Sequence, residues 1–99
     1  MEILEDTSIP LDHPCLEGHF PGNPIVPGTI VLEKIVTTLV EKWPTVNVRE
    51  IVSAKFLSPL KPAEPFSLRI SQQTGTVQFE CSRNGQLIAS GRLTVSTNG

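Results

Sequence analysis

The spacing of apolar residues changes period along this chain, and the change predicts its elements. Over residues 29–43 the period is helical. At about 100° per residue, Val31, Leu32, Ile35, Val36, Leu39 and Trp43 fall on one wide arc, and Lys34, Thr38 and Glu41 gather opposite. Pro44 ends that helix, and Glu33 falls on the border of the arc beside Ile30 and Val40. Further on the period is two. Phe66, Leu68 and Ile70 alternate with Ser67, Arg69 and Ser71, and Val77, Phe79 and Cys81 alternate again, as half-buried strands do. Val48 to Leu57 is rich in β-formers, and Leu87 to Val95 predicts a closing strand. Gly75 marks a turn, and Asn84-Gly85 is the signal of a type I′ hairpin. Residues 1–10, with Ile3 and Ile9 as apolar points, suit an opening strand. One early strand, one helix and then three or four antiparallel strands predict an α+β fold, in a single domain over residues 1–99. A helix with so wide an apolar arc needs a sheet wrapped around it.

Two proline-rich stretches interrupt this pattern. Ser58 to Pro65 reads as a connection between strands. Asp12 to Gly28 carries four prolines and three glycines in seventeen positions, which excludes regular helix and predicts a long structured loop of the kind that carries function. Within it Pro21, Pro24 and Pro27 fix φ near about −65° and bias the residues before them towards extended backbone, so a side chain planted there stays aimed. His19 is that side chain. Gly28 then opens the helix, whose first N–H groups point back towards the loop and suit a developing oxyanion, and Glu33 follows about one turn later. Imidazole, N–H donor and carboxylate together make an acid/base site.

Composition narrows the classes. The chain has 99 residues, enough for one core, but small enough that association with a second subunit would help it bury apolar surface. A mean hydropathy of +0.02 with 38% hydrophobic residues argues for a folded soluble domain. No apolar run approaches the ~20 residues of a membrane helix. Glu2, Glu5 and Asp6 stand where a secretory signal would carry basic residues, so the expected compartment is the cytoplasm. Net charge is −2 and the eight basic residues are dispersed, which argues against nucleic-acid binding. Cys15 and Cys81 are too few and too far apart for a zinc site or a disulfide framework and are expected as reduced thiols.

The string Gly18-His19-Phe20-Pro21-Gly22-Asn23-Pro24-Ile25-Val26-Pro27-Gly28, followed by a helical Glu33, resembles the 3-hydroxyacyl-[acyl carrier protein] dehydratases of the FabA/FabZ type, whose motif reads GHFPxxPxxPG with an acid downstream. The separation 33 − 19 = 14 is the one that family shows. Phe56 to Glu64 is similar to the family's strand and the Pro-Gly-Asp-type turn after it. The resemblance implies the hotdog fold, a long central helix wrapped by a curved antiparallel sheet, in dimers formed by joining sheets. It implies an active site at the dimer interface, with the histidine from one subunit and the acid from the other. The implied reaction removes water from a 3-hydroxyacyl thioester to give the trans-2-enoyl thioester. His19, with an unperturbed pKa of ~6.5, would take the C2 proton. Glu33 would orient or protonate the departing C3 hydroxyl, a duty that calls for a buried carboxyl. The Gly28 N–H would hold the thioester oxygen, with Phe20 and Pro27 walling the substrate pocket. No metal or organic cofactor is required. The implied partners are an acyl carrier protein thioester and a second copy or a related dehydratase subunit. Lys34, Arg49, Lys55 or Lys61 would dock the acidic carrier.

The chain departs from that pattern in places. Longer members carry a segment before the first strand that nothing here matches, which leaves part of their acyl tunnel without a counterpart. Thr37 stands four residues after the acid, where the family commonly has glutamine. Short relatives of this appearance serve specialised or polyene-like acyl chains as well as fatty acid synthesis. Isomerising members tend to have aspartate at the acid, so Glu33 leans towards dehydration only. His13, before Pro14 and outside the motif, reads as structural or exposed, Asp12 and Glu17 as turn residues, and Cys15 as packing. Leu32, Ile35, Phe56 and Leu57 read as core rather than tunnel. Two rivals stay open: a hotdog acyl thioesterase, which also carries an acid on the helix, and a non-catalytic partner subunit of a dehydratase.

Overall fold

The computed structural model describes residues 2–10, 12 and 25–97. Strand β1 (Glu2–Thr7) comes first, then helix α1 (Gly28–Lys42), then β2 (Val46–Phe56), β3 (Phe66–Gln73), β4 (Thr76–Arg83) and β5 (Gln86–Thr97). The strands form one five-stranded sheet in the order β1-β3-β4-β5-β2, antiparallel at every pairing. The α+β order expected from the periodicity is therefore present, with four strands after the helix. His13, Cys15, Glu17, His19, Phe20 and the rest of residues 13–24 lie outside the described residues.

The alternating strands place their apolar residues on the face that meets α1. Ile3 pairs with Ile70, Ile70 with Phe79, and Phe79 with Gly91, so one row crosses four strands. A side chain at Gly91 is impossible without movement: its Cβ would fall 2.3 Å from the Ser53 carbonyl oxygen and 2.5 Å from the Phe79 ring. The glycine lets a large ring lie across β5 while β2 curls in behind it, and β2 shows register shifts between Val48 and Glu50 and between Ile51 and Ser53. Both expected turns are present. Gly75 sits at φ 73°, and Asn84 and Gly85 take φ 53° and 77°, the left-handed pair a type I′ turn needs.

Helix α1 buries Ile30, Val31, Ile35, Thr38 and Leu39. Two expectations are corrected here. Thr38, placed by the periodicity on the polar side, is only 2% exposed, because its hydroxyl donates to the Glu5 carboxylate on β1 (3.4 Å) and leaves the rest of the side chain free to pack. Leu32, Val36 and Trp43 are in turn half-buried, so the buried stripe is rotated from the predicted arc. The sheet's first strand explains the rotation, since β1 supplies a polar partner to a position that a purely apolar count assigns to solvent. The second correction concerns Phe56 and Leu57. They were expected in the core and are 48% and 60% exposed, because they lie where the edge strand β2 runs out into the following connection.

Candidate active site

The start of α1 is the feature around which the site is built. Pro27 is the N-cap in extended backbone (φ −60°, ψ 147°), its ring fixing φ, and it offers no side-chain cap. Its carbonyl accepts the N–H groups of Ile30 (3.0 Å) and Val31 (3.4 Å). No acidic residue lies in the first turn. The positive end of the helix dipole at Gly28 is thus left without a carboxylate of its own helix.

Gly28 borders an apolar cavity of about 220 Å³. Ile25, Val26 and Val31 line it on the helix side, Leu57, Ser58, Pro59 and Leu60 on the side of the connection after β2, and Phe66, Cys81, Ile88 and Ala89 from the sheet. Phe56 closes over the helix start. A Cβ at Gly28 would fall 2.7 Å from its ring, so glycine permits this approach. The two walls are tied together, because the Val26 N–H donates to the Leu60 carbonyl (2.8 Å). Beyond Ser58 the lining offers Cys81 as a heteroatom, and burial pushes that thiol's pKa up to about 12, which makes it a packing group and not a nucleophile.

Glu33 lies elsewhere. The burial expected of this acid is not met within one chain: Glu33 is exposed and borders a second, smaller hollow of about 140 Å³ with Ser8, Ile9, Pro10, Ile30, Lys34 and Thr37. Among the described residues the two hollows have none in common. Helix geometry requires this separation: five residues along an α-helix turn a side chain by about 140°, so Gly28 and Glu33 face different sides of α1. Of the predicted site residues, Gly28 and Pro27 stand together at the helix start, Glu33 stands apart, and His19 and Phe20 lie outside the described residues. Among the described residues no group of three or more His, Cys, Asp or Glu gathers as a metal site would require. No helix among them is long and apolar enough to cross a membrane.

Sequence reasoning missed the wall formed by residues 57–60 and the group that holds it. Arg83 donates to the Pro59 carbonyl (2.8 Å), to Glu64 (2.8 Å) and to the Ser58 hydroxyl (3.1 Å). The proline punctuation of 58–65 pointed to an ordered connection, but nothing in the sequence linked it to an arginine some twenty residues on.

A helix packed on a five-stranded antiparallel sheet, with an apolar cavity at its N-terminus, defines a protein of the hotdog class. The fold is shared with the dehydratase heterocomplex ApeI:P from Xenorhabdus doucetiae, at a TM-score of 0.84 and 21% identity over 95% of this chain and 86% of that one. It is shared more distantly with the BH1999 gentisyl-coenzyme A thioesterase, at a TM-score of 0.61 and 14% identity over 94% and 87% of the two chains. Residues 2–92 match the family model of the ApeI-like dehydratases, and the chain belongs to that family. It is 30% identical to the 3-hydroxyacyl-[acyl-carrier-protein] dehydratase FabZ of Ehrlichia chaffeensis, over 91% of this chain and 71% of the relative. It is 27% identical to the enzyme of the same name from Haemophilus influenzae strain 86-028NP, over 87% and 68%.

Proposed function

We propose that this protein dehydrates 3-hydroxyacyl thioesters carried on acyl carrier protein, giving trans-2-enoyl thioesters in fatty acid or related acyl-chain synthesis in the cytoplasm. The acyl chain lies in the apolar cavity beside Gly28, and the thioester oxygen meets the Gly28 N–H at the uncapped helix start. His19 takes the C2 proton as the C2–C3 double bond forms. The C3–O bond breaks, and Glu33 gives a proton to the departing hydroxyl, which leaves as water. Pro27 acts by setting the helix start beside the pocket, and Phe20 is assigned to the acyl chain by the motif alone. The elimination needs no metal or organic cofactor.

The observation that carries the two-subunit form of this reading is the separation of Gly28 from Glu33. Within one chain Gly28 and the Glu33 carboxylate border different hollows, and an acid from a second subunit would complete the Gly28 pocket. Edge strand β2 supports the same reading, because it leaves Ile51 and Val52 43% and 49% exposed. The partner is a second copy or a related dehydratase subunit, a pairing for which the ApeI:P heterocomplex is a precedent within the fold. Exposed Lys55 and Lys61 are chain neighbours of the cavity-lining Phe56 and Leu60 and suit an acidic carrier, as do Arg49 and Lys34.

The test follows the absorbance of the conjugated enoyl thioester formed from 3-hydroxyacyl substrate by the purified protein, alone and with a candidate partner. His19→Ala and Glu33→Ala should each lose activity. Mixing the two inactive variants should restore about a quarter of it, because half of the randomly formed dimers then hold one intact site of two. Activity surviving both substitutions would sink the mechanism. Release of free thiol from acyl thioester would assign the chain to the thioesterases that share its fold, and activity that depends wholly on a partner's own histidine and acid would make it a non-catalytic subunit.

A further inference from the structure

Arg83 is the last residue of β4, next to the Asn84-Gly85 turn, and its guanidinium lies across the connection between β2 and β3. Nη1 donates to the Pro59 carbonyl and to Glu64 Oε1, both at 2.8 Å, and Nη2 donates to the Ser58 hydroxyl at 3.1 Å. Glu64 Oε1 accepts the Lys61 N–H as well (3.1 Å), and that bond together with Arg83 holds the carboxyl below its ordinary value of 4.5. One side chain therefore clips both ends of the segment 58–64. A planar fork with several fixed donors suits three acceptors set apart like this, and an ammonium does not.

The clipped segment is the wall of the cavity. Leu57, Ser58, Pro59 and Leu60 line it, and the Leu60 carbonyl holds the Val26 N–H two residues before Gly28. The segment also carries strain. Ala63 sits at φ 65°, in the left-handed region that disfavours a residue with a Cβ, while its N–H donates to the Ile9 carbonyl at 2.7 Å. A strained turn keeps one shape only while its surroundings over-determine it, and Arg83 supplies much of that determination.

We propose that Arg83 is a positioning residue: it holds the 58–64 connection against the helix start and so sets how long an acyl chain the cavity accepts. The selectivity part rests on the dehydratase reading above; the holding part does not. Arg83→Met and Arg83→Lys are compared with the wild-type full chain, assembled with whatever subunit it requires. Hydrogen exchange should quicken by about tenfold at the amides of Leu57, Ser58, Lys61, Ala63 and Glu64 in Arg83→Met, and by less in Arg83→Lys, with the amides of β4 unchanged. Unchanged exchange in this segment, or equal quickening throughout the protein, overturns the proposal. In the kinetic arm, KM for a ten-carbon 3-hydroxyacyl thioester should rise by about tenfold in Arg83→Met with kcat within about twofold, while the four-carbon substrate is unaffected. Arg83→Lys should recover part of the loss. Equal effects on both chain lengths overturn the selectivity part. A wild-type protein without dehydratase activity overturns the functional reading instead, and the exchange arm then decides the role of Arg83 by itself.

Discussion

Strands β4 and β2 belong to one sheet and both are built from β-formers, yet they live in different environments. β4 hides Val77, Phe79 and Cys81 at 1% exposure or less, whereas β2, three residues longer, fully buries Val46 alone and leaves Ile51, Val52 and Phe56 more than 40% exposed. Neighbours account for the difference. β4 has a strand on each side, while among the described residues β2 pairs with β5 alone and shifts register twice along that pairing. Apolar content in a strand therefore marks where surface is to be covered, and only topology says whether the chain covers it itself. On the proposed function, β2 is covered by a second subunit.

The sharpest way to break this contrast is substitution in both strands. Phe79→Ala should cost about 3–5 kcal/mol in urea denaturation, since it empties the centre of the core. Ile51→Ser should change the stability of the isolated chain by only about 0.5 kcal/mol while weakening self-association in sedimentation. Equal losses would mean that β2 is as much core as β4. Next in size is Gly91→Ala, which forces a methyl against Ser53 and Phe79 and should cost about 1–3 kcal/mol, because β2 cannot move away without unpairing from β5. Ala63→Gly should act in the opposite direction, raising stability by about 1 kcal/mol by relieving a left-handed residue, less whatever entropy the glycine adds to the unfolded chain. The smallest effect concerns acid. Glu64 and Glu2 are both held below their ordinary 4.5, Glu64 first by the Lys61 N–H and then by Arg83, Glu2 first by Arg69. A lowered folded pKa adds stability that is present above the unfolded value and lost as pH falls through the folded one. Melting midpoints of the wild type should therefore begin to fall below pH 4.5, and Glu64→Gln should flatten that fall. An unaltered slope would show that the clip around residues 58–64 contributes nothing to acid stability.

Much of this fold was legible because most of its residues obey local rules. Phe66, Leu68 and Ile70 alternate because β3 has one buried face, Asn84-Gly85 turns because two left-handed residues are needed there, and Pro44 stops a helix. What was not legible depended on distant partners. Thr38 reads as polar until Glu5 is brought beside it from another strand. Phe56 and Leu57 read as core because periodicity does not say which strand is an edge. The cavity wall was invisible for the same reason: Arg83 and Glu64 meet only once β3 and β4 have paired. For the candidate site, the motif supplied the residue types and the helix start, and the geometry added that Gly28 and Glu33 face apart.

That five-residue step along α1 has an evolutionary consequence. On the proposed two-chain site, the loop with its helix start and the acid one turn on are separable inheritances. After a gene duplication, one copy could lose its carboxylate and the other its histidine, and the pair would still assemble one complete site. A helix that splits its own chemistry between two faces thus makes division of labour between diverging subunits a tolerated path, where a site built within a single chain would be lost at the first such change.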